Sequence, residues 1–181
     1  MRKSYIALLF VAVLLIAISA GVTVALLVSS SNTVVNTFTI GGIEISLEET
    51  TGDKYIMTPG VKVPKDPTLT VRANSESCWL FVKLEKENDF DTFCTYEIGD
   101  GWKPLGGDTT VFYRMVEKSN VDQAFLVLKN NCISIKATLT EEQLDSVKDN
   151  PKLNLIAYAV QRDGFATIEE AWKALNQGKE E

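Results

Sequence analysis

Cys78-Trp79-Leu80-Phe81-Val82-Lys83-Leu84 is the stretch whose reading decides the fold. Successive side chains of a strand point to opposite faces, and here both faces are apolar except at Lys83. A strand of this kind belongs inside a sheet that is covered on both sides. Residues 111–116, 124–128 and 153–160 have the same character and are expected as further central strands. One-sided strands surround them. Leu69 and Val71 alternate with Thr68, Thr70 and Arg72, while Ile133, Ile135, Ala137 and Leu139 alternate with Ser134, Lys136 and Thr138. Turn-rich segments lie between, such as residues 98–108 with Gly101, Gly106 and Gly107. Short strands recurring in this way predict a mainly all-β sandwich.

Working toward the N terminus, Phe38 and Ile40 share one parity, but Ile43, Ile45 and Leu47 share the other. One residue must be absorbed between them. Gly41-Gly42 is the place for a β-bulge or sharp bend that turns the strand between sheets with its apolar side still inward. Toward the C terminus two short helices are expected. Thr140-Glu141-Glu142-Gln143 fits a capping box with Pro151 beyond it, and Thr167-Ile168-Glu169-Glu170 is a second. The second leads into Ile168, Ala171, Trp172 and Leu175, an apolar stripe at helical spacing that would anchor the helix on the sheet.

The first residues decide where the chain goes. Arg2 and Lys3 are basic, no further charge occurs before Glu44, and residues 5–28 are almost wholly apolar. Thr23 and Ala25 present small side chains at the two positions a signal peptidase reads, so cleavage is expected between Ala25 and Leu26. The competing reading is an uncleaved membrane anchor, because the run is longer than a usual signal core of about 7–15 residues and approaches the roughly 20 that span a bilayer. Either way the remainder is exported and meets the membrane only through this N-terminal helix. With 18 basic and 24 acidic residues the net charge is −6, and loss of Arg2 and Lys3 takes it to −6 − 2 = −8. Such an acidic chain is expected to bind neither nucleic acid nor anionic lipid. No sorting motif of the Leu-Pro-x-Thr-Gly kind follows.

Motifs for chemistry are sparse. There is no histidine, so Ser-His-Asp triads, Cys-His pairs and His-Glu-x-x-His zinc sites do not arise. Cys78, Cys94 and Cys132 are an odd set with no Cys-x-x-Cys spacing. They are read as buried free thiols, the alternative being one disulfide of undetermined pairing. Asn88, Asp89 and Asp91 form a polar turn; calcium is the sharper alternative, without EF-hand spacing. Tyr96, Trp102, Tyr113 and Trp79 are read as core aromatics rather than a sugar-stacking platform. No catalytic residue, metal ligand or cofactor is expected.

Several segments together resemble one family. Asn36-Thr37-Phe38-Thr39-Ile40-Gly41 after the long signal, Met57-Thr58-Pro59-Gly60, Lys65-Asp66-Pro67-Thr68-Leu69-Thr70-Val71, the Cys78 run, and Ala157-Tyr158-Ala159-Val160-Gln161 with Gly164-Phe165 and the Trp172 helix are similar to the TasA/camelysin-type secreted proteins of Gram-positive bacteria. Those proteins depend on the dedicated signal peptidase SipW. One departure is Leu26-Leu27, where the family usually has an aromatic or alanine-aromatic step. The resemblance implies a jelly-roll-like antiparallel β-sandwich over residues 40–178, with a short tail at 179–181. It also implies fibres of the cell surface or biofilm matrix. There residues 26–39 would act as a donor arm, with Leu27, Val28, Val34, Val35, Phe38 and Ile40 pairing into the sheet of a neighbouring copy or a related matrix protein. The signal peptidase would be the other partner. A secreted or tethered module binding glycan or protein is the alternative. The camelysin peptidase label finds no ligand set here, since histidine is absent.

Overall fold

The run that begins at Cys78 forms a ten-residue strand, Cys78–Glu87, in the middle of the largest sheet. The computed structural model describes residues 26–29, 37–40, 42–51 and 54–177. In chain order these form β1 (Leu26–Ser29), β2 (Thr37–Ile40), β3 (Ile45–Glu48), β4 (Lys54–Met57), β5 (Lys62–Pro64), β6 (Thr68–Val71), β7 (Cys78–Glu87), α1 (Phe90–Phe93), β8 (Cys94–Ile98), β9 (Lys103–Leu105), β10 (Asp108–Val116), β11 (Gln123–Leu126), β12 (Leu128–Ile135), α2 (Glu141–Asp145), β13 (Lys152–Gln161) and α3 (Ile168–Gln177). The protein is mostly β, with antiparallel sheets and three short helices. The sheets run β2-β13-β7-β10-β9, β11-β6-β3, β5-β12-β8 and β1-β4.

The five-stranded sheet explains why β7 and β13 are apolar on both faces. On one side Cys78, Leu80, Val82 and Leu84 join Leu153, Leu155, Ala157 and Ala159 in a core shared with Leu47, Leu69, Val71, Leu128 and Ile135 of the smaller sheets. On the other, Phe81, Tyr158 and Val160 meet Ala171 and Leu175 of α3. Each fully buried Leu, Val or Phe contributes about 1.5–3 kcal/mol of apolar transfer. Trp172 fixes the helix, its ring lying 5.1 Å from Phe81 and 5.2 Å from Tyr158.

Both expected helix starts form. In α2, the Thr140 hydroxyl accepts from the Gln143 N–H, and the Gln143 side chain accepts from the Thr140 N–H. At α3, Thr167 Oγ1 accepts from the Glu170 N–H, but the Glu170 carboxylate reaches back one residue further, to the Ala166 N–H.

Four expectations need correction. A third helix, α1, follows Asn88 and Asp89, which both hold left-handed backbone at φ 55 and 54. Asn and Asp tolerate that region, and the buried Phe90 and Phe93 then pin a single turn. The strand expected through Leu139 stops at Ile135. Beyond it the partners run out, because Ile135 is opposite Cys94, where β8 begins. The segment from residue 124 is an edge strand, not a central one: among the described residues β11 pairs only with β6, and Leu126 is exposed. Lastly, β2 runs parallel to β13, a departure from an all-antiparallel arrangement.

Candidate functional site

The expected donor arm occupies two seats in its own chain. Leu27 and Val28 lie in β1, which pairs antiparallel with β4 from Leu26↔Met57 to Ser29↔Lys54. Phe38 lies in β2, with Thr37↔Ala157, Phe38↔Tyr158, Thr39↔Ala159 and Ile40↔Val160 in register. Leu26 is the first residue of β1. The cleavage residues Thr23 and Ala25, the apolar segment before them, arm residues Val34 and Val35, bulge residue Gly41 and tail residues 179–181 lie outside the described residues. Gly42 is a bend between β2 and β3, which belong to different sheets, and its carbonyl accepts from the Glu76 N–H at 3.1 Å. Among the described residues no helix is long and apolar enough to cross a membrane.

The β2 seat is the unusual one. β13 pairs along its whole length with β7, and β2 covers the opposite edge over residues 157–160. All four of those residues are buried, two in each core. Main-chain donors and acceptors on an edge of this kind are exposed whenever the covering strand leaves. A parallel neighbour needs no hairpin, only a strand delivered from elsewhere.

Near the second seat two interactions fasten the chain that leads into β4. Lys65, 5% exposed, donates to both Glu49 oxygens at 2.9 and 3.0 Å, and Thr51 Oγ1 also donates to Glu49. Asp66 accepts from the Thr50 and Thr51 N–H groups at 2.9 and 3.0 Å and from the Thr50 hydroxyl. Burial pushes the Asp66 carboxyl up, but these bonds outweigh it and hold it at about 2. A depressed carboxyl adds stability above its unfolded value, near pH 4, and loses it as pH falls through the folded one. Wild type is therefore expected to be more stable than Asp66→Asn at neutral pH, with the gap closing between about pH 4 and pH 2. Urea melts of both proteins across that range check this.

The remaining candidates are scattered. The three cysteines are free, Cys78 and Cys94 buried and Cys132 half-buried. Burial raises the Cys78 thiol to about 12 and the Cys94 thiol to about 11, so neither is a ready nucleophile at neutral pH. Asp91 takes two bonds from Lys86. Asn88 and Asp89 instead line an open depression of about 360 Å³ with Ser146 and Asp149. Among the described residues no group of three or more His, Cys, Asp or Glu side chains is placed to hold a metal. The four aromatics do not form one platform: Trp79 and Tyr113 meet edge to face at 6.2 Å, Tyr96 lies 6.1 Å from Phe90, and Trp102 is buried elsewhere.

Sequence reasoning passed over one charged residue. Arg114 of β10 has its guanidinium 3.8 Å from the Phe125 ring centre and 5.3 Å from that of Trp102, with no carboxylate partner among the described residues. The alternation of its strand puts it on the face of Phe112 and Val116 and says nothing of what it meets there. The Trp102 ring comes from a turn and Phe125 from another sheet, and no local signal announces either.

Compared with protein-family models, with curated proteins and with solved structures, the chain matches none.

Proposed function

We propose that this chain is an exported structural protein, a jelly-roll-like β-sandwich that joins surface or matrix fibres by lending its N-terminal strand to a neighbour. The observation that carries the reading is the parallel seat of β2 on the buried edge of β13. A strand that is remote in sequence and joined to the body through Gly41-Gly42 can be replaced by the same segment of another copy. The pairing energy is then conserved, and only association entropy and the hinge decide between closed monomer and chain of subunits. The sandwich reading is supported by the five-stranded sheet sharing one core with the β11-β6-β3 and β5-β12-β8 sheets. Export and processing before Leu26 belong to the same proposal. Cleavage would free β1 at its first residue, so release from the membrane and release of the arm would coincide.

The test uses the register. Thr39→Cys in one chain and Ala159→Cys in another, both starting at Leu26 and both carrying Cys132→Ser, are mixed at high concentration and oxidised. The two positions are Cα partners, so strand exchange is expected to give disulfide-linked chains that carry both variants. The double variant in one chain shows whether the pair can close. If it closes within that chain and the mixture never cross-links, the reading is wrong.

A further inference from the structure

Arg114 stands on the side of β10 that carries the buried Phe112 and Val116, toward the main core. The other two described arginines are paired, Arg72 with Glu48 and Asp122 and Arg162 with Glu117. Among the described residues Arg114 has neither ion pair nor hydrogen bond, and its Nε is sealed from water without an acceptor there. This happens in a chain with 24 acidic residues. A buried donor left without an acceptor is destabilising, and rings near a guanidinium offset part of that. The surroundings are fitted to it. Trp102 is held by its own Nε1 donating to the Leu126 carbonyl at 2.9 Å. Gly101, at φ 85, leaves room for the guanidinium, because a Cβ there would come within 3.0 Å of Nη2. Burial lowers the Arg114 pKa.

The same place has a second feature. β11, which supplies Phe125, ends its sheet, so apart from the Leu126 carbonyl its outer edge has no partner among the described residues. Beside it Leu126 is 48% exposed.

We propose that Arg114 and the free edge of β11 form a docking site for an extended peptide segment bearing a carboxylate. The strand edge would supply main-chain bonds, and the guanidinium would hold the acid through its planar fork. This site is separate from the β2 seat and does not depend on strand exchange.

The test uses a capped Val-Thr-Glu-Thr-Val peptide and its glutamine counterpart, each titrated into the protein while the Trp102 indole N–H signal is followed by NMR. A charge-assisted bond is worth about 1.5–3 kcal/mol, so the glutamate peptide is expected to bind at least about tenfold tighter. That preference should vanish in Arg114→Gln and persist in Arg72→Gln, which removes an exposed arginine already paired. If Arg114→Gln fails to fold, Arg114→Lys keeps the charge without the fork and should reduce the preference. Equal affinities, a preference surviving in Arg114→Gln, or no binding of either peptide overturns the proposal. So does Arg114-dependent binding of polygalacturonate with none of the peptide, which would assign the site to an acidic glycan.

Discussion

A chain that begins at Gly42 is expected to lose roughly 2–6 kcal/mol of stability, at about 0.5–1.5 kcal/mol for each main-chain bond, and to associate irregularly. The chain lacks β2, whose four register pairs cover residues 157–160 of β13. The newly opened edge is buried on both faces in the intact protein. Its side chains carry no charge to discourage pairing with any strand that arrives. A chain beginning at residue 33 is the control, since it removes β1 but keeps β2. It should stay close to the intact protein in urea melts and light scattering. Adding a synthetic peptide of residues 33–42 to the shorter chain should restore a monomeric, cooperative melt. If the two truncations behave alike, the β2 seat is not the element that closes the sheet, and the proposed exchange loses its physical basis.

Phe81→Ala is the single substitution expected to cost most, about 3–5 kcal/mol. Phe81 is fully buried and lies opposite both Tyr113 and Tyr158 across the sheet. Its ring also faces Trp172 at 5.1 Å. The cavity would form beneath α3, a helix held by few buried residues, among them Ala171 and Leu175. Loss of the Trp172 near-ultraviolet dichroism should accompany the loss of stability. Met115→Ala is the comparison. It points to the same side of the sheet but is 54% exposed, so it should change stability by no more than about 0.5 kcal/mol. Similar losses for both would show that α3 does not cover a second core.

The acid-linked behaviour of Asp66 and the two binding tests probe smaller energies, but each isolates one named contact. Together they probe two of the sheet edges with main-chain groups to offer a partner. One is the edge of β13, closed by the chain's own N-terminal strand. The other is the edge of β11, where Arg114 has no carboxylate partner among the described residues.

What the sequence by itself determined was everything that depends on neighbours along the chain. Two-faced apolar runs marked β7, β10 and β13 as interior strands, because alternation is a property of the backbone alone. Thr140 and Thr167 marked two helix starts, since a cap is satisfied within three or four residues. The one-turn helix at Phe90 escaped because four residues carry no periodicity. β11 was misplaced because an apolar edge strand and an apolar central strand look alike until partners are counted. Only the tertiary structure decided that Phe38 lies beside Tyr158, that Lys65 is buried on Glu49, and that Trp102 and Phe125 flank Arg114. These join segments from 11 to 120 residues apart. Their meeting is set by sheet order and register, which follow from the packing of the whole core and leave no mark in any local stretch of chain.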